Sequence, residues 1–184
     1  MQFENLDLAG VVIVTPQRHG DARGWFSEVF REDLFRRQVG DVRFVQHNQS
    51  YSKPKSTVRG LHFQLEPHAQ GKLVRCPRGR VLDVAVDLRA SSATFGRHVA
   101  IELSAENGRQ LWMPSGFAHG FCTLEDNCEL SYLATDYYSP EHDRGLAWND
   151  PALGIAWPVA EADAVLSAKD QRQPKLSELG KVFE

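Results

Sequence analysis

The chain is short of cysteine, of long apolar runs and of blocks of like charge, and each shortage closes off a class of protein. There are three cysteines, Cys76, Cys122 and Cys128. An odd number with no Cys-x-x-Cys pair supports neither a disulfide framework nor a zinc site. They read as small buried hydrophobes in a reducing compartment. No apolar run approaches the ~20 residues of a membrane span. The start, Met1-Gln2-Phe3-Glu4-Asn5, has neither the basic nor the apolar region of a signal peptide. The expectation is a cytoplasmic protein with no membrane partner. The formal net charge is −3, without a long run of one sign, so no nucleic-acid partner is expected. Positive charge comes in small doses, at Arg36-Arg37, Arg59, Lys72 and Arg75 to Arg80, enough to neutralise a diphosphate. Repeats, low-complexity segments, linkers and a glycine-rich dinucleotide fingerprint are all missing. One domain over 1–184 is expected.

What is present is a series of short strands separated by turn residues. Strands are predicted at Val11 to Thr15, Trp25 to Phe30, Phe44 to Gln46, Thr57 to Gln64 and Lys72 to Cys76. More follow at Arg80 to Leu88, His98 to Leu103, Gln110 to Met113, Gly120 to Leu124 and Glu129 to Ala134. Glu32 to Gln38 is the one early helix, closed by Gly40. Trp148-Asn149-Asp150-Pro151 reads as a turn and Ala162 to Lys169 as a short helical element. Arg80 to Leu88 alternates most clearly: Leu82, Val84, Val86 and Leu88 share one face, and Val81, Asp83, Ala85 and Asp87 the other. A face with two aspartates is either solvated or lines a polar pocket. Many short, evenly spaced strands predict an all-β fold, a double-sheet jelly roll with a few short helices.

Two of the seven histidines have suggestive settings. His62 lies in a strand between Arg59 and Gln64. His119 follows the turn Pro114-Ser115-Gly116, a pattern similar to one of the two motifs of cupin jelly rolls. Metal-binding cupins carry a His-x-His pair, but His62 is followed by Phe63 and Gln64. One imidazole and one carboxylate make a poor transition-metal site, so no metal is expected. Side-chain acid–base chemistry is the alternative. An imidazole with a pKa near 6.5 removes a carbon-bound proton only when the carbanion is stabilised, as beside a ketone. Lys72 is placed to help the enolate oxygen. Asp170 and Asp83 are candidates to orient the imidazole. Inversion needs an acid on the opposite face, and Tyr132, Tyr137 and Tyr138 are phenols close together in sequence.

With these residues assembled, the chain resembles the dTDP-4-dehydrorhamnose 3,5-epimerases of the cupin superfamily. Six ordered motifs carry the likeness: Asp21 to Glu28 (DARGWFSE), Arg59 to Gln64 (RGLHFQ), Gln70 to Arg75 (QGKLVR), Val81 to Arg89 (VLDVAVDLR), Pro114 to Phe121 (PSGFAHGF) and Leu166 to Asp170 (LSAKD). The resemblance implies a cupin double-stranded β-helix and a dTDP-linked 4-keto-6-deoxy sugar as ligand, with no cofactor. It implies His62 as general base, Asp170 as its partner, Tyr132 as the acid on the other face and Lys72 beside the enolate oxygen. It also implies binding roles for Gln46, Asn48, Arg59, His119, Tyr138, Asp143 and Lys169, with Asp83 in support. Arg23, Phe26 and Glu28 would reach the nucleotide from the neighbouring subunit of a homodimer. The chain departs from the usual pattern at His47 (commonly Asp), Leu133 (commonly Lys) and Asp143 (commonly Glu). A single-carbon epimerase or keto-isomerase, and a non-catalytic sugar-nucleotide-binding cupin, are the rival readings. Asp83 keeps a plain alternative, a hydrogen-bonded strand carboxylate with no part in proton transfer. Strict alternation sets Arg59 and His62 on opposite faces of their strand; only a twist or bulge, which Gly60 permits, brings both to one ligand.

Overall fold

Strand β8 is predicted at Arg80 to Leu88, and in the computed structural model, which describes residues 1–184, it runs from Arg80 to Asp87. Both of its faces are buried. Val81 and Ala85 join a core cluster with Val74, Cys76, Leu111, Phe117 and Phe121. Val84 and Val86 join a second cluster with Leu61, Phe63, Leu146 and Phe183. Asp83 and Asp87 are fully buried as well. The solvated reading of that face is excluded. Asp87 is satisfied by Arg89, Ser92 and Thr94, as a buried carboxylate requires. Those three partners hold its pKa down at about 2 against the upward push of burial.

The other strands are β1 (Gln2–Asn5), β2 (Val12–Thr15), β3 (Arg18–Asp21), β4 (Gly24–Ser27), β5 (Gln46–Ser52), β6 (Val58–Gln64), β7 (Lys72–Arg78), β9 (His98–Ser104), β10 (Gln110–Met113), β11 (Phe117–Thr123), β12 (Cys128–Ala134) and β13 (Asp143–Gly145). Two sheets result. One has the order β1-β2-β10-β7-β12-β5 and the other β13-β6-β11-β8-β9. The strands pair antiparallel throughout, and non-sequential strands lie side by side, as in a jelly roll. The cluster containing Val74 and Val81 fills the space between the sheets. The cluster containing Leu61 and Val84 lies outside the five-stranded sheet, under the C-terminal segment. Helix α1 (Glu32–Gln38) forms as predicted and seats Phe35 on Val12, Val14, Leu73 and Trp112, outside the other sheet.

Several expectations need correction. Trp25 to Phe30 is not one strand: β4 ends at Ser27 because it only completes a hairpin with β3, apart from both sheets. The strand predicted at Phe44 to Gln46 starts at Gln46 and runs to Ser52; Phe44 instead packs on Phe35 and Trp112. The strand predicted at Gly120 to Leu124 begins at Phe117. Ala162 to Lys169 is not helical. Only a single 3-10 turn, Glu161–Asp163, is present there. The backbone of Val165 is instead hydrogen-bonded to Ser56 and Val58, so this β-branched residue extends the five-stranded sheet as a bridge to Thr57. A short helix, α2 (Leu176–Leu179), follows later.

Candidate active site

Strand β6 holds the most consequential irregularity. His62 pairs with His119 of β11, yet Arg59 pairs with Phe121. Three steps along β6 thus match two along β11, so β6 carries one extra residue, a bulge. Directly opposed residues share a face, and Phe121 lies in the core between the sheets. The bulge therefore turns both Arg59 and His62 inward, which alternation alone forbids. Gly60 makes it possible. Its φ is +120°, and a Cβ there would meet the Cα of Gly120 at 2.6 Å and the carbonyl of His119 at 2.7 Å. Gly60→Ala is expected to lose about 1–3 kcal/mol to overpacking and to lower activity with it. A denaturant titration of the variant reads this directly.

On this wall His62 is half-buried, and its Nε2 lies 2.5 Å from Asp170 Oδ1. Asp170 is buried in a 3-10 turn, Asp170–Arg172. Burial alone would raise its pKa. The His62 and Ser167 hydrogen bonds and the nearby Lys169 charge outweigh burial and hold it below the ordinary carboxylate value. An ionised carboxylate only accepts, so the His62 Nε2–H donates, an arrangement that in the neutral ring puts the lone pair on Nδ1. Ser167 Oγ donates to Asp170 Oδ2 at 2.8 Å and accepts from the Asp170 N–H at 3.1 Å. Sequence reading passed over Ser167. The signal was a Ser-x-x-Asp spacing that favours such local bonds. The second candidate partner, Asp83, serves a different imidazole: Asp83 Oδ1 lies 2.8 Å from His119 Nε2, both buried. Asp83 Oδ2 has no partner.

The opposite wall comes from the six-stranded sheet. Tyr132 of β12 pairs with Asn48 of β5 and Val74 of β7. Its ring centroid is 6.5 Å from that of His119, across the gap between the sheets. Burial and the charge of Asp143 raise the Tyr132 pKa, against an opposing hydrogen bond from Asn48, so the phenol keeps its proton at neutral pH. The Nζ of Lys72 is 5.8 Å from the Tyr132 ring centroid. Burial pulls its pKa down to about 8, against the attraction of Asp143 and Asp83.

At one end of the site Asp143 Oδ2 accepts from Tyr138 Oη at 3.1 Å and pairs with Lys169 Nζ. Gln46 donates to Asn48 Oδ1 at 3.0 Å. Arg59 is exposed and donates to Ser52 Oγ and the Tyr51 carbonyl on the edge strand β5. Arg23, Phe26 and Glu28 stand apart on and after the β3–β4 hairpin. Arg23 pairs with Asp21, Glu28 lies 4.0 Å from Arg31, and Phe26 is 72% exposed. None of the three makes a polar contact to the other candidate residues. No group of three or more His, Cys, Asp or Glu side chains is arranged to hold a metal ion.

Fold and site together define a class, an acid–base isomerase built on a cupin jelly roll. The chain belongs to the dTDP-4-dehydrorhamnose 3,5-epimerase family, whose model matches residues 5–178. It is 58% identical over 184 residues to the dTDP-4-dehydrorhamnose 3,5-epimerase of Sinorhizobium fredii, covering 100% of this chain and 94% of that one. It is similar to the crystal structure of dTDP-6-deoxy-D-glucose-3,5-epimerase from Legionella pneumophila in complex with dTDP-4-keto-L-rhamnose. That match has 42% identity and a TM-score of 0.92, and covers 97% and 94% of the two chains. The dTDP-4-dehydrorhamnose 3,5-epimerase of Elizabethkingia anophelis matches with 43% identity and a TM-score of 0.93, over 97% and 98%.

Proposed function

We propose that the protein epimerises dTDP-4-dehydro-6-deoxy-D-glucose at C3 and C5, giving dTDP-4-dehydro-L-rhamnose. One observation carries the reading: His62 on one sheet, paired with Asp170 of the C-terminal 3-10 turn, faces a protonated phenol, Tyr132, on the sheet opposite. His62 Nδ1 takes the proton from C5, and Asp170 steadies the imidazolium. The electron pair moves onto the C4 oxygen as an enolate, to which the Lys72 ammonium donates. The enolate then collapses, and C5 takes the Tyr132 proton on its other face. Exchange with solvent resets both groups, and the cycle repeats at C3, which also adjoins the ketone. The ketone is already in the substrate, so no redox cofactor is needed. Positioned acids and bases of this kind contribute ~10²–10⁴-fold each.

The exposed Phe26, with Arg23 and Glu28, suits a homodimer in which each hairpin completes its neighbour's nucleotide site. No helix is long and apolar enough to cross a membrane, and we take the reaction to be cytoplasmic. Proton NMR of the substrate with enzyme in deuterated water tests the reading. Label at C3 and C5 is expected. Label at one carbon would replace it with a single-carbon epimerase, and none with a binding module.

Lys72 gives the reaction a pH signature. Its useful form is the ammonium, which predominates below its pKa of about 8. Turnover should fall as pH rises through that value, while Tyr132, with a pKa above the usual tyrosine value, stays protonated. Lys72→Met should lower kcat about 10²-fold, as loss of one oxyanion donor does, and should remove this alkaline limb. A kcat–pH profile of both proteins checks the assignment.

A further inference from the structure

The segment 136–139 joins β12 to the turn before β13, and it carries two adjacent tyrosines into solvent. Tyr137 is 64% exposed and Tyr138 57%. Asp136, Tyr137 and Tyr138 make no hydrogen bond to other backbone groups, which ordinarily leaves a loop free to move. Here side chains replace the missing ladder. Gln70 Nε2 donates to the Asp136 carbonyl at 2.7 Å. Gln64 Nε2 donates to the Tyr137 carbonyl at 3.1 Å. The Tyr138 N–H donates to Gln46 Oε1 at 2.9 Å. The Ser139 N–H donates to Gln64 Oε1 at 2.7 Å. Four consecutive residues are thus held through their backbones by three glutamines from three separate parts of the chain.

A primary amide suits the place of Gln64, because it offers a donor and an acceptor on one planar group. Gln64 uses both, and its Nε2 also donates to the His68 carbonyl at 2.6 Å. It is buried, so its bonds compete little with water. It also stands two residues beyond His62 on β6. The loop is therefore referenced to the strand that carries the proposed base.

We propose that Gln64 and Gln70 are positioning residues for nucleotide recognition: together with Gln46 they hold in advance the backbone of the loop that carries Tyr138, the aromatic that the family resemblance sets near the pyrimidine base. The proposal rests on the reading of the ligand as a dTDP-sugar and adds the device that fixes where the base sits relative to His62. A loop ordered in advance spares the ligand the entropy of ordering it, and an exposed aromatic ring offers a face on which a base stacks. Neither glutamine touches the reacting carbons, so the effect belongs to binding and not to proton transfer.

The test uses the full-length protein and dTDP itself, with affinity read by calorimetry and KM and kcat read on the 4-keto sugar. Gln70→Met removes the donor to Asp136 from a half-buried position. It should weaken dTDP about five- to tenfold and raise KM in step, with kcat within about twofold, as loss of preorganisation predicts. Gln70→Lys keeps a donor there and should restore most of the affinity. Gln64→Met should act in the same direction and more strongly. If that variant does not fold, the Gln70 pair decides. Folded variants that bind dTDP as tightly as the wild type would overturn the proposal, as would a loss confined to kcat. Because binding is read without turnover, wild-type protein that bound dTDP and inverted no carbon would sink the epimerase reading and leave this test intact.

Discussion

His62→Asn should lose on the order of 10³–10⁴ in kcat, the upper part of the range for a positioned acid–base group, with the affinity for dTDP unchanged. The reasoning starts from the hydrogen bond. Asp170 is ionised and accepts from Nε2, so Nδ1 is the free base. Asparagine fills much of the same space and still donates a hydrogen bond, but its amide does not take up a proton at any working pH. Solvent label at C3 and at C5 should vanish together, because one base serves both carbons. Loss at C5 with C3 exchange intact would mean that a second group handles C3. His119, already paired with Asp83 at 2.8 Å, would then be the residue to examine.

Tyr132→Phe should lower inversion by a similar factor, ~10²–10⁴, while removing a single oxygen atom. Tyr132 and His62 stand on different sheets, so the two faces of a sugar held between them meet different groups. The phenol is the group that holds a proton on its side: burial and the Asp143 charge keep its pKa high. Lys72 lies on the same side, but its role at the enolate oxygen leaves it without access to the far face of C5. In Tyr132→Phe the enolate still forms, and the His62 imidazolium, once it has traded the abstracted proton for a solvent deuteron, delivers that deuteron to the face the proton left. Exchange should therefore outrun inversion, whereas in the wild type the two are linked.

Much of this arrangement is visible in the sequence, and what is not has physical causes. The alternation in Arg80 to Leu88 identifies a strand from local order alone, because the period of two survives wherever both faces pack. Glu32 to Gln38 is legible from a different local signal, acidic residues in the first turn and basic residues in the last, as the helix dipole favours. The shared orientation of Arg59 and His62 is not legible. One inserted residue reverses the parity of a strand, and only the glycine hints at it. The helix expected over Ala162 to Lys169 failed because a tertiary contact, the backbone pairing of Val165 with Ser56 and Val58, overrides weak local preference. The partner of His62 is 108 residues away. Composition left Asp83 and Asp170 equally eligible, and the resemblance pointed to Asp170. Strand β13 is three residues long, too short for any period, yet it places Asp143 beside Tyr138 and Lys169.

The central claim is proton transfer on two faces by two different groups. It is tested most directly by following Tyr132→Phe in deuterated water, with deuterium content and configuration at C5 read from the same proton NMR spectra over time. The account predicts deuterium accumulating at C5 in substrate that keeps its original configuration, with product far behind. Inversion keeping pace with exchange would contradict it, because some group other than Tyr132 would then be delivering the proton on the second face.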